Sequence, residues 1–441
     1  MPKAHWNETE YRQYARSLFD PALAWAKPEM LAGIRVLEVG TLILGPLITC
    51  ILAELGAEVI KFELPPGARA HVPQGGDIMR HFGIAEGGTI KGTSLQCFFA
   101  NRNKKFVTLD VNHPEGQKIF KRLAAQAETD IVVENLRAGA MDRMGIGYRQ
   151  LSQENERLIY LAANGPGQWG PDADMVSYDL LGQACSGFAY LTGFPADDPD
   201  YPGIPTKTAF YLADSVGAVW GALALLGALY YRQTTGSGQF IELSQISGLL
   251  RLMEIALEWY STTGEVRERT GNRDAVIAPY CLTKCKDGYV AIAAVGDKIF
   301  HNLCDAMGRP DLKVEPRFRD NHARVRHQRE LYAILDAWLV QHTREELRQL
   351  ADRYSFAFAP VLSPRDICQF PHFLERGEVQ EIKDPCYGKM KIATLPPHFS
   401  ETPARVRTVC KPVGTDTEAV YAQYLGLSSR ELARLREQKI I

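Results

Sequence analysis

Short apolar runs alternate with amphipathic stretches along the first half of the chain, and the alternation predicts strands and helices in turn. Ile34-Arg35-Val36-Leu37-Glu38-Val39 reads as a strand, Gly45-Pro46 punctuates, and 47–55 reads as a helix closed by Gly56. Ala57-Glu58-Val59-Ile60-Lys61-Phe62 follows as a second strand, so the opening unit is a parallel pair with a right-handed crossover. The rhythm repeats. Residues 106–109 form a strand, a helix capped by Asn112 with Pro114 and Glu115 in its first turn runs to about Ala127, and 130–133 and 158–161 are further strands. The most apolar stretch, 216–231, is too short to span a membrane comfortably and reads as a buried helix. Gly236-Ser237-Gly238 then turns into a strand at 239–243, and 249–260 has a helical pattern. The fold class is therefore α/β, an open Rossmann-like parallel sheet with ligands expected at the strand C-termini.

From about residue 272 the texture changes, with a strand at 289–292 and amphipathic helices between 300 and 353. The expected organisation is an N-terminal helical extension (1–30), a large domain (31–250), a linker (251–274), a small α+β domain (275–370), and a linker with a C-terminal return to the large domain (371–441).

Composition narrows the function. The chain has 441 residues, 46% hydrophobic and 23% charged, with a formal net charge of -2. Neither nucleic acid nor a membrane surface is an expected partner of so balanced a chain. The N-terminus lacks the apolar run of a signal peptide, and nine scattered cysteines do not form a disulfide framework, so a cytoplasmic location is expected. Cys281 and Cys285 are the closest pair, and two ordinary cysteines at a strand end describe them better than a metal site does.

The turn after the first strand, Gly40-Thr41-Leu42-Ile43-Leu44-Gly45-Pro46, is not a dinucleotide loop, and the chain carries neither a Walker pattern nor a G-x-S-x-G elbow. What the strand ends offer is cations: Lys104 and Lys105 before one strand, Arg137 after another, and Arg143 a little later. Each alone is an ordinary surface charge; clustered, they suit an anionic ligand. The span between His113 and His301 contains no histidine but does contain Tyr178-Asp179. A carboxylate there is either a nucleophile or a helix cap. Trp169, Tyr178, Phe188, Tyr190, Phe194 and Tyr201 crowd the same region, as a pocket wall or as core.

Taken together, Leu55-Gly56-Ala57-Glu58-Val59-Ile60-Lys61, Asn101-Arg102-Asn103-Lys104-Lys105, Val133-Glu134-Asn135-Leu136-Arg137, Asp142-Arg143-Met144-Gly145, Tyr178-Asp179, Thr235-Gly236-Ser237-Gly238-Gln239 and Phe399-Ser400-Glu401-Thr402-Pro403 make the chain resemble the family III CoA-transferases from Leu31 onward. That group includes formyl-CoA and carnitine CoA-transferases and α-methylacyl-CoA racemases. The resemblance implies a transferase that moves CoA from an acyl-CoA donor, succinyl-CoA by family habit, to a carboxylic acid. Asp179 would be the nucleophile, passing through an aspartyl anhydride and an aspartyl-CoA thioester. It further implies that Lys104, Arg137 and Arg143 hold the CoA phosphates or the adenine side, and that Leu42, Ile43 and Leu44 wall the pantetheine and adenosine. Gln168 would lie near the nucleophile as an oxyanion donor, with simple loop packing as the other reading. An interlocked homodimer is implied, with a hetero-oligomer of related subunits as the alternative, and no cofactor beyond CoA.

This sequence departs from the family in places. The segment Gly271-Asn272-Arg273-Asp274 lacks the family's glycine run, and Gly414-Thr415-Asp416-Thr417 stands where the family reads G-E-H-T. A racemase would need a histidine roughly thirty residues before Asp179 as the second base, and Arg149 lies there instead. Arg69, Arg80 and Arg273 are the candidates for pairing a substrate's second carboxylate.

Overall fold

The computed structural model describes residues 7–70, 72–83, 87–126 and 128–441. The start of the N-terminal extension and Ala127, the expected helix end, lie outside the described residues. The chain divides into two compact units. One comprises Met1–Ser186, Thr208–Met253 and Phe370–Ile441, and the other Gly187–Lys207 and Glu254–Gln369.

The first unit is built on six parallel strands: β1 (Arg35–Val39), β2 (Glu58–Glu63), β3 (Lys105–Thr108), β4 (Ile131–Glu134), β5 (Ile159–Asn164) and β6 (Phe240–Ser244), in the order β3-β2-β1-β4-β5-β6. The order reverses between β1 and β4, the switch point at which doubly wound sheets bind ligands. Successive residues serve opposite faces. Val36, Val59 and Ile131 pack with α1 (Leu44–Glu54) and α2 (Leu212–Thr235), while Leu37, Ile60 and Val132 pack with α3 (Pro114–Ala124). Both faces being covered, β4 and β5 are buried throughout, and each such Ile, Val or Leu contributes about 1.5–3 kcal/mol.

Helix α2 is apolar and long enough to cross a membrane by composition. One face is nonetheless core: a Cβ at Gly217 would come 2.8 Å from Leu44, and one at Gly221 2.7 Å from Ile48. The opposite face leaves Val219, Leu223 and Tyr230 more than half exposed.

The C-terminal segment covers the β3 edge. Asp416 accepts the Phe106 N–H at 2.8 Å, Thr417 Oγ1 accepts that of Thr108 at 3.0 Å, and the Tyr421 hydroxyl donates to Thr108 O. Asp416, standing where the family places a histidine, is thus an edge clamp. The extension forms a helix at Glu8–Leu18 with no buried residue, then ties down through Lys27 Nζ to Ser400 O and Arg405 Nε to Ala24 O.

The second unit holds an antiparallel sheet of β7 (Tyr280–Cys285), β8 (Gly288–Ala293) and β9 (Ala357–Pro360), with β8 in the centre, packed on helices Asp297–Ala306, Gln328–Leu339 and Arg344–Tyr354. Residues 187–207, expected in the large domain, group here. Gly193 O accepts the Gly271 N–H at 2.9 Å, and a Cβ on Gly193 would strike Ile204 O. The helical pattern over 249–260 is interrupted: one helix ends at Leu250, the next begins at Ala256, and Glu254 between them takes a φ of 49°.

Candidate active site

Asp179 opens a short helix (Asp179–Cys185) and is 7% exposed. Its Oδ1 accepts two backbone N–H groups from the first turn of α2, Ala213 at 2.7 Å and Asp214 at 3.2 Å. Its Oδ2 accepts Gln183 Nε2 at 2.6 Å, one turn along its own helix. The approach depends on Gly182, where a Cβ would come 2.8 Å from that of Ala213. First-turn amides of a helix have no intrahelical acceptor, and Tyr211 supplies no side-chain cap. Asp179 therefore takes over the capping of α2 from a different element.

Asp214 was not among the expected site residues, and no motif marks it. Burial, reinforced by the charge of Asp179, pushes its carboxyl up to about 7. Its Oδ1 accepts Gln245 Nε2 at 2.6 Å. Two carboxyls thus share one helix terminus, each held by a buried glutamine.

Gln168 lies in the loop after β5. Its Oε1 accepts the Gly139 N–H at 3.1 Å and its backbone N–H donates to Glu242, while its Nε2 is buried with no hydrogen-bond partner among the described residues. The loop touches the segment leading to Asp179: a Cβ on Gly165 would lie 2.2 Å from Ser177 Oγ, itself a buried atom with no hydrogen-bond partner among the described residues. Trp169 and Tyr178 are largely exposed, so neither is core.

At the switch point Asn135, just past β4, clamps the turn after β1. Its Oδ1 accepts the Thr41 N–H and its Nδ2 donates to Thr41 O, both at 2.8 Å. Asp77 takes the Leu42 N–H at 3.1 Å, and Leu42 sits at φ 64°, a left-handed conformation that side chains seldom adopt. Beside this turn is a mainly apolar cavity of about 330 Å³, lined by Val39, Gly40, Thr41, Phe62, Val72 and Leu136 among others. Ile43 and Leu44, expected with Leu42 to wall the pantetheine and adenosine, are buried in the core with Leu42 packed against it.

Lys104, expected at a phosphate, is 1% exposed. Its ammonium lies 2.7 Å from Glu38 Oε2 and donates to Pro46 O, Ala100 O and Asn101. Burial lowers its pKa, with Glu38 opposing. It is a core cation, one of two with Lys61 on the same glutamate. Arg137 and Arg143 are exposed, and Arg143 Nη1 donates to Ala138 O at 2.9 Å. Of the arginines considered for a second carboxylate, Arg80 is buried against both oxygens of Glu63 and Arg69 pairs with Asp110. Arg273 lies over Tyr332 and lines a cavity of about 770 Å³ in the second unit.

A doubly wound sheet with a cavity at its switch point but no dinucleotide loop defines an α/β protein without the nicotinamide-binding motif. The chain belongs to CoA-transferase family III, whose sequence model matches residues 31–417, and it is a CoA-transferase. It is 36% identical over 415 residues to succinyl-CoA–D-citramalate CoA-transferase of Chloroflexus aurantiacus, covering 94% of this chain and 98% of that one. It is 34% identical over 412 residues to the alpha subunit of succinyl-CoA–L-malate CoA-transferase of Chloroflexus aurantiacus, covering 93% of this chain and 92% of the other. Among solved structures it resembles a CAIB/BAIF family protein from Brucella suis, with a TM-score of 0.78 and 28% identity over 90% of this chain and 99% of that one.

Proposed function

We propose that the protein transfers CoA from succinyl-CoA to a second small dicarboxylic acid through covalent intermediates on Asp179. The observation that carries the covalent step is the state of Asp179 Oδ2. It is oriented by Gln183 and keeps a lone pair unused, on a side chain that is buried from solvent. The carboxylate attacks the donor thioester, giving an anhydride and CoA thiolate. The thiolate attacks the aspartyl carbonyl, releasing succinate and leaving aspartyl-CoA. The acceptor carboxylate then runs the same steps in reverse. Burial helps conserve the thioester, because water is the competing nucleophile. The donor and the acceptor class rest on the relatives, which are named for succinyl-CoA with citramalate or malate.

Exposed Arg137 and Arg143 are the cations we assign to the CoA phosphates, and the switch-point cavity to its adenosine side. Gln168 Nε2, a buried donor still without an acceptor, is the group we assign to an oxyanion. The chemistry asks for no cofactor beyond CoA, and we place it in the cytoplasm. We further propose that the chain works as a homodimer that covers the apolar face of α2; sedimentation of the purified chain tests this, and a monomer would refute it.

The mechanism is tested by incubating the protein with succinyl-CoA, treating with borohydride or hydroxylamine, and taking intact and peptide masses. A modification on Asp179, absent from Asp179→Asn, is expected. An unmodified Asp179 in a protein that binds succinyl-CoA would overturn the reading.

A further inference from the structure

The hydrogen bonds of Asp179 treat its two oxygens differently. Oδ1 accepts the N–H groups of Ala213 and Asp214, which uses both of its lone pairs. Oδ2 accepts Gln183 alone and has one left. We propose that Oδ2 makes and breaks bonds while Oδ1 never leaves the two amides, so that the first turn of α2 is the oxyanion hole for attack on the aspartyl carbonyl. The proposal rests on Asp179 being the nucleophile.

The steps balance as follows. Oδ2 bonds to the donor acyl carbon, the C–S bond breaks, and the thiolate departs with the electron pair. The anhydride now joins Asp179 Cγ to the acyl carbon through Oδ2, and Oδ1 is the aspartyl carbonyl oxygen. Thiolate attack at Cγ moves the carbonyl pair onto Oδ1. That charge forms where two amides already converge, at the positive end of a 24-residue helix. Collapse re-forms the carbonyl, breaks the Cγ–Oδ2 bond, and releases the donor carboxylate carrying Oδ2. No proton has to move. In the acceptor half, attack on aspartyl-CoA again puts the charge on Oδ1, so the same two amides serve every tetrahedral state centred on Cγ.

Three contacts fix this geometry. Gly182 lets the helix of Asp179 approach α2, Gln183 holds Oδ2 away from the amides, and Tyr211 leaves those amides uncapped. Gln183 is itself held, its Oε1 accepting the Thr208 N–H at 3.0 Å. Neither amide competes with an intrahelical acceptor, so nothing has to rearrange at the moment of reaction.

The direct test replaces Ala213 by its α-hydroxy acid analogue, lactate, through nonsense suppression. This swaps the N–H for an ester oxygen and keeps the methyl side chain. With succinyl-CoA as donor and succinate as acceptor, the rates of forming and resolving aspartyl-CoA are expected to fall about 10²- to 10³-fold, the usual effect of losing one oxyanion donor. Succinyl-CoA binding should be unchanged. Rates within twofold of the unmodified protein would overturn the proposal. A second measurement needs no variant: the infrared carbonyl band of aspartyl-CoA in the folded unmodified protein, against the same adduct after unfolding in acid. A band shifted to lower frequency in the folded protein supports the amide pair; one at equal or higher frequency overturns it. Failure to form any aspartyl-CoA in the unmodified protein would instead sink the nucleophile itself.

Discussion

The backbone N–H of Asp214 donates to Asp179 Oδ1 at 3.2 Å, so one carboxyl is tied through its own main chain to the other. The side chain of Asp214 is the group whose pKa responds. Burial first, then the charge of Asp179, raises it from 3.8 to about 7. Between those values the folded protein holds a proton that the unfolded chain has lost. The stability this contributes is fully present below about pH 3.8 and falls as pH rises to about 7, at no more than about 1.4 kcal/mol per pH unit. Asp214→Asn should flatten that slope in urea melts taken from pH 4 to 8. Its activity should also lose the decline expected above about pH 7, where an ionised Asp214 repels the incoming thiolate and carboxylates. Identical pH profiles for the two proteins would refute the assignment.

Asp179 caps α2 and is the nucleophile we propose, and two substitutions separate these roles. Asp179→Asn keeps an oxygen for the Ala213 and Asp214 amides. It should melt close to the unmodified protein, with kcat down by about 10⁴-fold or more. Asp179→Ala loses the cap as well and should cost about 1 kcal/mol of stability besides. Paired thermal melts and CoA-transfer assays decide the matter, and an active Asn protein would leave Asp179 a cap alone.

Lys104 and Arg143 should behave oppositely. Removing Lys104 leaves Glu38 buried with only one of its two cations and is expected to cost about 3–5 kcal/mol. Arg143→Ala should change stability by no more than about 0.5 kcal/mol. It should raise the KM for succinyl-CoA, and do so more at low ionic strength. Denaturant melts and kinetics on both variants check the contrast.

The sheet was legible because each strand is a compact apolar run between turn signals, and both faces of a parallel sheet are buried. The reading of Asp179 as a nucleophile came only from family resemblance, since Tyr178-Asp179 carries no local pattern; what the structure adds is its burial at a helix terminus. Lys104 was misleading for a physical reason. A lysine beside four other polar residues looks solvated until Glu38 of β1 is known to point inward onto it. Ile43 and Leu44 lie in the core, because an apolar turn can serve a core as readily as a ligand. Asp214 could not be found at all: it lies 35 residues beyond Asp179, and what joins them is the docking of two helix ends.

That docking turns on a missing methyl group. At Gly182 an added Cβ would come 2.8 Å from Ala213 and 3.3 Å from Gln245, so Gly182→Ala must push the two helix ends apart. Neither neighbour yields easily, because Ala213 is fully buried backbone-proximal carbon and Gln245 is held on Asp214. The displacement should fall on the Asp179–Ala213 hydrogen bond, the shortest contact between the two helices' polar groups. Misplacing a reacting group by about 1 Å costs on the order of 10²-fold in rate. Gly182→Ala should therefore lower kcat by about that factor. The switch-point cavity and the exposed arginines, where we propose that CoA binds, are built from other segments, so CoA binding should be preserved. Calorimetry with CoA beside steady-state kinetics tests the split, and a variant that loses CoA affinity while keeping kcat would contradict it.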